Sequence, residues 1–255
     1  LPASLRSDLV EMIRALFAAG LLALVLCVRP ALGADFNLHY TLLEDPPRPF
    51  PTRLVLLPPQ VTVKEISAGG VADLVPEWTA QANANIQEGL QAIIAGRPEF
   101  TLLPLPAFSP EENERLDQYL AAYMVVGVAA HWATSAGGSA WAHKREHFDY
   151  TLGEGLAFLR EKTGADAAVM VIGEDYVSTS GRKAAMVVGA LFGAGIGSGE
   201  SVISIGVVDL NNGDLLWMHH SQSGSKDLKD KVSVREMLGE ILATLPGRDG
   251  KVVLR

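Results

Sequence analysis

The sharpest chemical pattern in this 255-residue chain is His143-Lys144-Arg145-Glu146-His147. It matches H-x-x-E-H, in which two histidines four residues apart hold zinc and the glutamate acts as general base. That chemistry needs a helix, because only there do His143 and His147 share a face. The pattern stands between a Gly/Ser break at 135–139 and a Thr151-x-x-Glu154 capping box, a place that reads first as a charged, solvated connector. His219-His220 is a poorer metal candidate, since adjacent residues on a strand point to opposite faces. Asp166, Glu174 and Asp175 fall on or beside one expected strand and read as its polar face or ends, not as a catalytic acid–base pair. There is no Gly-x-Ser-x-Gly elbow. The single cysteine, Cys27, can neither close an internal disulfide nor build a thiolate zinc cluster. No catalytic residue and no cofactor are expected, and a zinc hydrolase built on His143, Glu146 and His147 is the alternative.

A second unusual stretch is the glycine-rich apolar segment 184–199. It fails the dinucleotide fingerprint, because Gly193-x-Gly195 is followed by Ser198 where a third glycine belongs. It fails the phosphate-loop pattern as well, having no Gly-Lys-Ser/Thr. Gly189 and Gly193 do form G-x-x-x-G, which permits close approach of another helix. Met186, Val187, Val188, Gly189, Leu191, Phe192, Gly193, Gly195 and Ile196 are therefore the candidate contact residues. They could cover the sheet, meet another subunit or touch a membrane. A pocket beneath them would instead make the protein a small-ligand binder.

The elements that position these residues follow from period and punctuation. Residues 1–34 are expected to be a signal peptide with an upstream extension. Arg14 supplies the positive charge, Ala15 to Val28 an apolar run shorter than the roughly 20 residues that span a bilayer, and Ala31-Leu32-Gly33 a cleavage site. The proline-rich 35–52 reads as an extended leader. A single domain is expected over 53–247, with a helical insertion around 109–150 and a tail at 248–255. Short apolar strands are expected at 53–58, 61–66 and 100–104, and longer ones at 165–172, 201–210 and 215–219. Helices are expected at 73–95 capped by Asp73, from the Ser109-Pro110-Glu111-Glu112 box to about 130, from Thr151 to Gly164, and from Ser233 to Leu245. This order predicts a mixed α/β (α+β) domain, a single mixed sheet with an antiparallel C-terminal hairpin flanked by helices. The 48% apolar content is enough for such a core without disulfides.

Gly164-Ala165-Asp166, the strand after it and Ile205-Gly206-Val207-Val208-Asp209-Leu210-Asn211-Asn212-Gly213-Asp214-Leu215-Leu216-Trp217 carry a family likeness. They resemble the GAD and VDL-x-T-G-D-I-L-W pattern of secreted bacterial proteins with the fold of the TolB N-terminal domain and the curli-secretion protein CsgG. The likeness runs in order over 53–246 and is sharp over 164–217. It implies an envelope protein without a catalytic site, often built into larger assemblies. Two departures limit it. Leu26 precedes Cys27 where a lipidation site has a small residue, and the helical insertion is extra, so pore formation is not implied.

The hairpin motif has its own physical reading. Asp209 and Asn211 can bond the backbone of a tight turn, Gly213 and Asp214 complete it, and Trp217 can pack beneath. These residues sign the fold. The expected function is that of an exported, non-enzymatic envelope protein, periplasmic or outer-membrane-associated, acting as a protein-binding or assembly domain. Its expected partners are other envelope proteins or itself, with membrane contact through 184–199. A net charge of −8 argues against binding nucleic acid through phosphates.

Overall fold

The long apolar run from Ala167 decides the architecture, because a strand with no polar face must be covered on both sides. The computed structural model describes residues 36–134, 141, 143–191 and 199–252. These lie within one unit, Asp35–Arg255. The expected signal peptide and Cys27 lie outside the described residues.

The strands are β1 (Phe36–Leu38), β2 (Arg53–Leu56), β3 (Gln60–Ile66), β4 (Ala72–Leu74), β5 (Thr101–Leu103), β6 (Ala167–Ser178), β7 (Ser201–Asp209) and β8 (Leu215–Ser223). The helices are α1 (Pro76–Ala95), α2 (Pro110–Thr134), α3 (His143–Glu146), α4 (Ala157–Thr163), α5 (Ser180–Leu191) and α6 (Lys231–Leu242). One mixed eight-stranded sheet runs β1-β8-β7-β6-β2-β5, with β3 on β6 and β4 on β3. The twelve-residue β6 takes β2 alongside Ala167–Val169 and β3 alongside Ile172–Ser178, both parallel. Pro58-Pro59 separates the two, since neither proline has an N–H to give the ladder. On its other side β6 pairs antiparallel with β7, from Ala167↔Asp209 to Asp175↔Ser201. The fold is the mixed α/β class that the sequence predicts.

Side chains alternate between two buried layers. Leu54, Leu56, Val169, Val171, Ile203, Ile205 and Val207 pack under Ile86, Leu90 and Ile94 of α1 and Leu238 and Ile241 of α6. Val55, Ala168, Met170, Ile172 and Met218 pack under Leu116, Leu120 and Tyr123 of α2 and Leu159 of α4. The register shifts between Val207 and Val208, so that Val207 faces Trp217 and Val208 faces Leu215. This bulge puts Leu216 and Trp217 into the same layer. Arg97, just after α1, satisfies the end of α6, donating from Nη1 to the Leu242 and Leu245 carbonyls at 3.2 Å each.

Helix starts follow the expected chemistry in one case and depart from it in three. Ser109 and Glu112 form the reciprocal capping box, with Ser109 N–H to Glu112 Oε2 at 2.8 Å and Glu112 N–H to Ser109 Oγ at 3.3 Å. Asp73 caps nothing, because it lies on β4 opposite Glu65. The final helix is capped by Asp230, whose carboxylate accepts the Ser233 N–H at 2.7 Å, one turn before the expected box takes effect. Thr151 opens no helix. It bridges to Asp214 and accepts the Gly153 N–H at 3.0 Å, and α4 waits until Ala157. The stretch read as a leader also differs. Phe36–Leu38 adds β1 antiparallel to β8, and Phe50 is buried with its N–H on the Arg248 carbonyl.

Candidate functional site

The hairpin motif gathers a polar hub at one end of the sheet. Asp209 Oδ1 accepts the Asn211 N–H at 2.6 Å and the Asn211 side-chain amide at 2.8 Å. Asp214 N–H donates to Asn212 Oδ1 at 3.1 Å. Both carboxylates then meet Arg48 from the former leader, Nη2 donating to Asp209 and Nη1 to Asp214 at 3.0 Å. Asp209 is buried, and the His39 Nε2 stands 4.0 Å from Asp214. Burial holds the His39 pKa below its ordinary value. Gly213, at φ 78°, carries the turn against the strap 150–153. The Leu152 N–H donates to its carbonyl, and a Cβ there would lie 2.1 Å from the Gly153 carbonyl oxygen. Trp217 is fully buried in the layer beneath α1 and α6. These polar atoms fasten the strap and the N-terminal segment to the hairpin.

The H-x-x-E-H residues gather no metal-ligand set among the described residues. His143 and Glu146 lie on the four-residue α3, and His147 directly follows it, its N–H closing the turn on the His143 carbonyl at 2.9 Å. The His147 ring stacks on Tyr40 with centroids 3.9 Å apart, and its Nε2 is 3.8 Å from Asp149. Among the described residues, no three His, Cys, Asp or Glu side chains gather as metal ligands do. The strand carboxylates separate in the same way. Asp166 pairs with Arg53 at 2.6 Å and Glu174 with Lys64 at 2.8 Å. Asp175, buried on the other face from Glu174, meets the Ser201 hydroxyl at 2.7 Å and accepts the Leu228 N–H at 3.1 Å. Ser201 Oγ also lies 2.7 Å from the Lys226 carbonyl. One hydroxyl proton serves one acceptor, so both contacts are satisfied together when Asp175 is protonated, the direction in which burial pushes it.

His219 and His220 do point to opposite faces. His219 Nδ1 lies 2.9 Å from Thr244 Oγ1. His220 stacks on His131 of α2 with centroids 3.5 Å apart. Burial first, and the neighbouring His131 and His219 second, bring the His220 pKa down from 6.5 to about 4. The folded protein therefore binds fewer protons than the unfolded chain between those values. Stability is full above pH 6.5 and falls as the pH drops towards 4, by at most about 3 kcal/mol from this group. Urea midpoints at successive pH values should show that decline, and His220→Gln should flatten it. Equal slopes in the two proteins would remove His220 as the cause.

The candidate contact segment is described in part. Met186 and Val187 lie on α5, with Val187 65% exposed. Val188, Gly189 and Leu191 lie on the same helix, whereas Phe192, Gly193, Gly195 and Ile196 lie outside the described residues. Near its start, Lys183, Met186, Gly199, Ser178 and Asp175 line a cavity of about 200 Å³.

Another apolar surface lies on α2. Leu116, Leu120, Tyr123, Gly127 and Ala130 face the sheet. The outer side is charged in the first half, with Glu111, Glu114, Arg115 and Asp117 exposed. From Ala121 to Thr134 there is no Asp, Glu, Lys or Arg. There Val125 is 70% exposed, Trp132 69%, Met124 50% and Val128 48%. A helix that is apolar all round is normally covered all round. Sequence reading missed this face, although its signal was present as fourteen residues without a charged side chain, 121–134, after a strongly charged first half of the helix. Among the described residues, no helix is long and apolar enough to cross a membrane.

No protein-family model matches the chain, and no curated protein matches it. Solved structures similar to it at low scores include the following three. Lipoprotein GNA1162 from Neisseria meningitidis has a TM-score of 0.31 and 12% identity, covering 76% of this chain and 99% of that one. The PelC dodecamer from Paraburkholderia phytofirmans has a TM-score of 0.31 and 9% identity, covering 76% and 87%. The LpoB C-terminal domain from Salmonella enterica has a TM-score of 0.28 and 10% identity, covering 73% and 91%.

Proposed function

We propose that the chain is an exported, non-enzymatic protein of the bacterial envelope whose folded unit binds other proteins through the outer face of α2. The exposed run Met124, Val125, Val128 and Trp132 carries this reading. Each Å² of apolar surface left in water costs about 25 cal/mol, and contiguous patches of this kind mark interaction sites. The export pattern at 12–34 supplies the compartment. The engagement of Asp209, Asp214, Glu174 and Asp166 in fixed ion pairs supports an architectural use of the polar groups. Val187 on α5 extends the set of exposed apolar residues to the segment 184–199.

A photo-crosslinking side chain at Val125, in cells, tests the reading. A discrete protein adduct in the envelope fraction is expected. It should disappear in Val128→Glu, which changes folding stability by less than about 0.5 kcal/mol because the site is at the surface. A protein confined to the cytoplasm, or one that yields no adduct, overturns the proposal.

A further inference from the structure

We propose that the occupant of this face is a second copy of the chain, with two α2 helices packed antiparallel about a two-fold axis near residues 126–127. The inference rests on the reading of α2 as a docking face and names what docks there. Ala121, Val125, Val128 and Trp132 are all exposed and follow the 4-3-4 spacing of a helix-packing seam. The seam is about 16 Å long, three turns of helix.

Side-chain size sets the direction. Antiparallel pairing places Trp132 against the partner's Ala121 and Val125 against the partner's Val128, large against small at both ends. Parallel pairing would stack Trp132 on Trp132 and leave Ala121 facing Ala121, overfilled at one end and hollow at the other. Charge gives the same answer. The exposed Glu111, Glu114 and Asp117 outnumber Arg115 on the first half of the helix. A parallel pair would bring these acidic halves together, whereas an antiparallel pair carries them to opposite ends. The two-fold contact itself joins uncharged surface to uncharged surface, so it has no like-charge penalty in a chain of net charge −8. A membrane fits less well, because no lysine or arginine lies within 121–134 to meet anionic headgroups.

The test uses the full chain with Cys27→Ser, made in two versions. One carries Val125→Cys, the other Val128→Cys and a tag, so that the three possible disulfide dimers separate by mass. After mixing and mild oxidation, the 125–128 heterodimer is expected well above its statistical half. This readout is specific to position, so association through the N-terminal segment does not mimic it. Light scattering on the unmodified chain should give a dimer that Val128→Glu converts to monomer with an unchanged circular dichroism spectrum. A predominance of 125–125 and 128–128 products overturns the antiparallel arrangement. A monomer that still crosslinks from Val125 to a different protein overturns self-pairing and leaves the docking face standing. A monomer with no adduct overturns both.

Discussion

Gly213→Ala is expected to lower the unfolding free energy by roughly 2–4 kcal/mol, the sum of a left-handed backbone forced on a residue with a Cβ and an overlap with packed backbone. The glycine has φ 78°, and the added carbon would sit 2.1 Å from the Gly153 carbonyl oxygen and 2.6 Å from its nitrogen. A flexible side chain could swing away, but these atoms belong to the strap. The Leu152 N–H is bonded to the Gly213 carbonyl and the Leu215 N–H to Tyr150. Relief therefore requires lifting the strap off the hairpin, with loss of both bonds. The urea midpoint should fall while the slope stays constant. A shift below about 0.5 kcal/mol, the range of ordinary surface changes, would show that strap and turn are not held together as described.

Asp209→Ala is expected to cost about 3 kcal/mol, since it removes one partner of a mostly buried ion pair and two acceptor contacts in the turn. Asp209 is only 6% exposed at its side chain, and Arg48 is 28% exposed, so the abandoned guanidinium recovers part of its hydration. Asp214 at 3.0 Å also keeps it partly paired. A local effect should accompany the global one. With Arg48 released, the exposed Leu43 and its neighbours should become easier for proteases to cut. A double-mutant cycle with Arg48→Met should return a coupling of at least about 1 kcal/mol. Strict additivity would mean that the two residues meet without contributing to stability.

Much of the frame could be read from the chain because its signals are local. Asn211 to Asp214 specify a turn by backbone preference, Val202 to Val208 a strand by side-chain shape, and Ser109 with Glu112 a helix start by reciprocal hydrogen bonds. What escaped depends on partners distant in sequence. Phe36-Asn37-Leu38 has too few residues to announce a strand and becomes one only beside Leu38↔Trp217 and Phe36↔His219. Asp209 was legible as a turn residue, through Asn211, but not as the mate of Arg48, 161 positions away. The H-x-x-E-H spacing does form a turn, with the His147 N–H on the His143 carbonyl, but a third ligand is a matter of tertiary placement, and among the described residues none joins the pair. On α2 the positions facing the sheet account for the apolar period by themselves, so the period gives no sign that the opposite side of 121–134 lacks charge too.

The pairing of β1 with β8 also constrains the order of assembly. A chain delivered from its N-terminus presents Phe36–Leu38 early, whereas the strand that receives them is among the last to arrive. Until then the first strand has no place on the sheet, and the carboxylates that hold Arg48, Asp209 and Asp214, arrive only just before it. Closing so long a loop is slow and is rewarded only at the end. A polypeptide interrupted before Leu215 would therefore be left with a loose beginning as well as a missing end, and quality-control proteases could recognise it from either side.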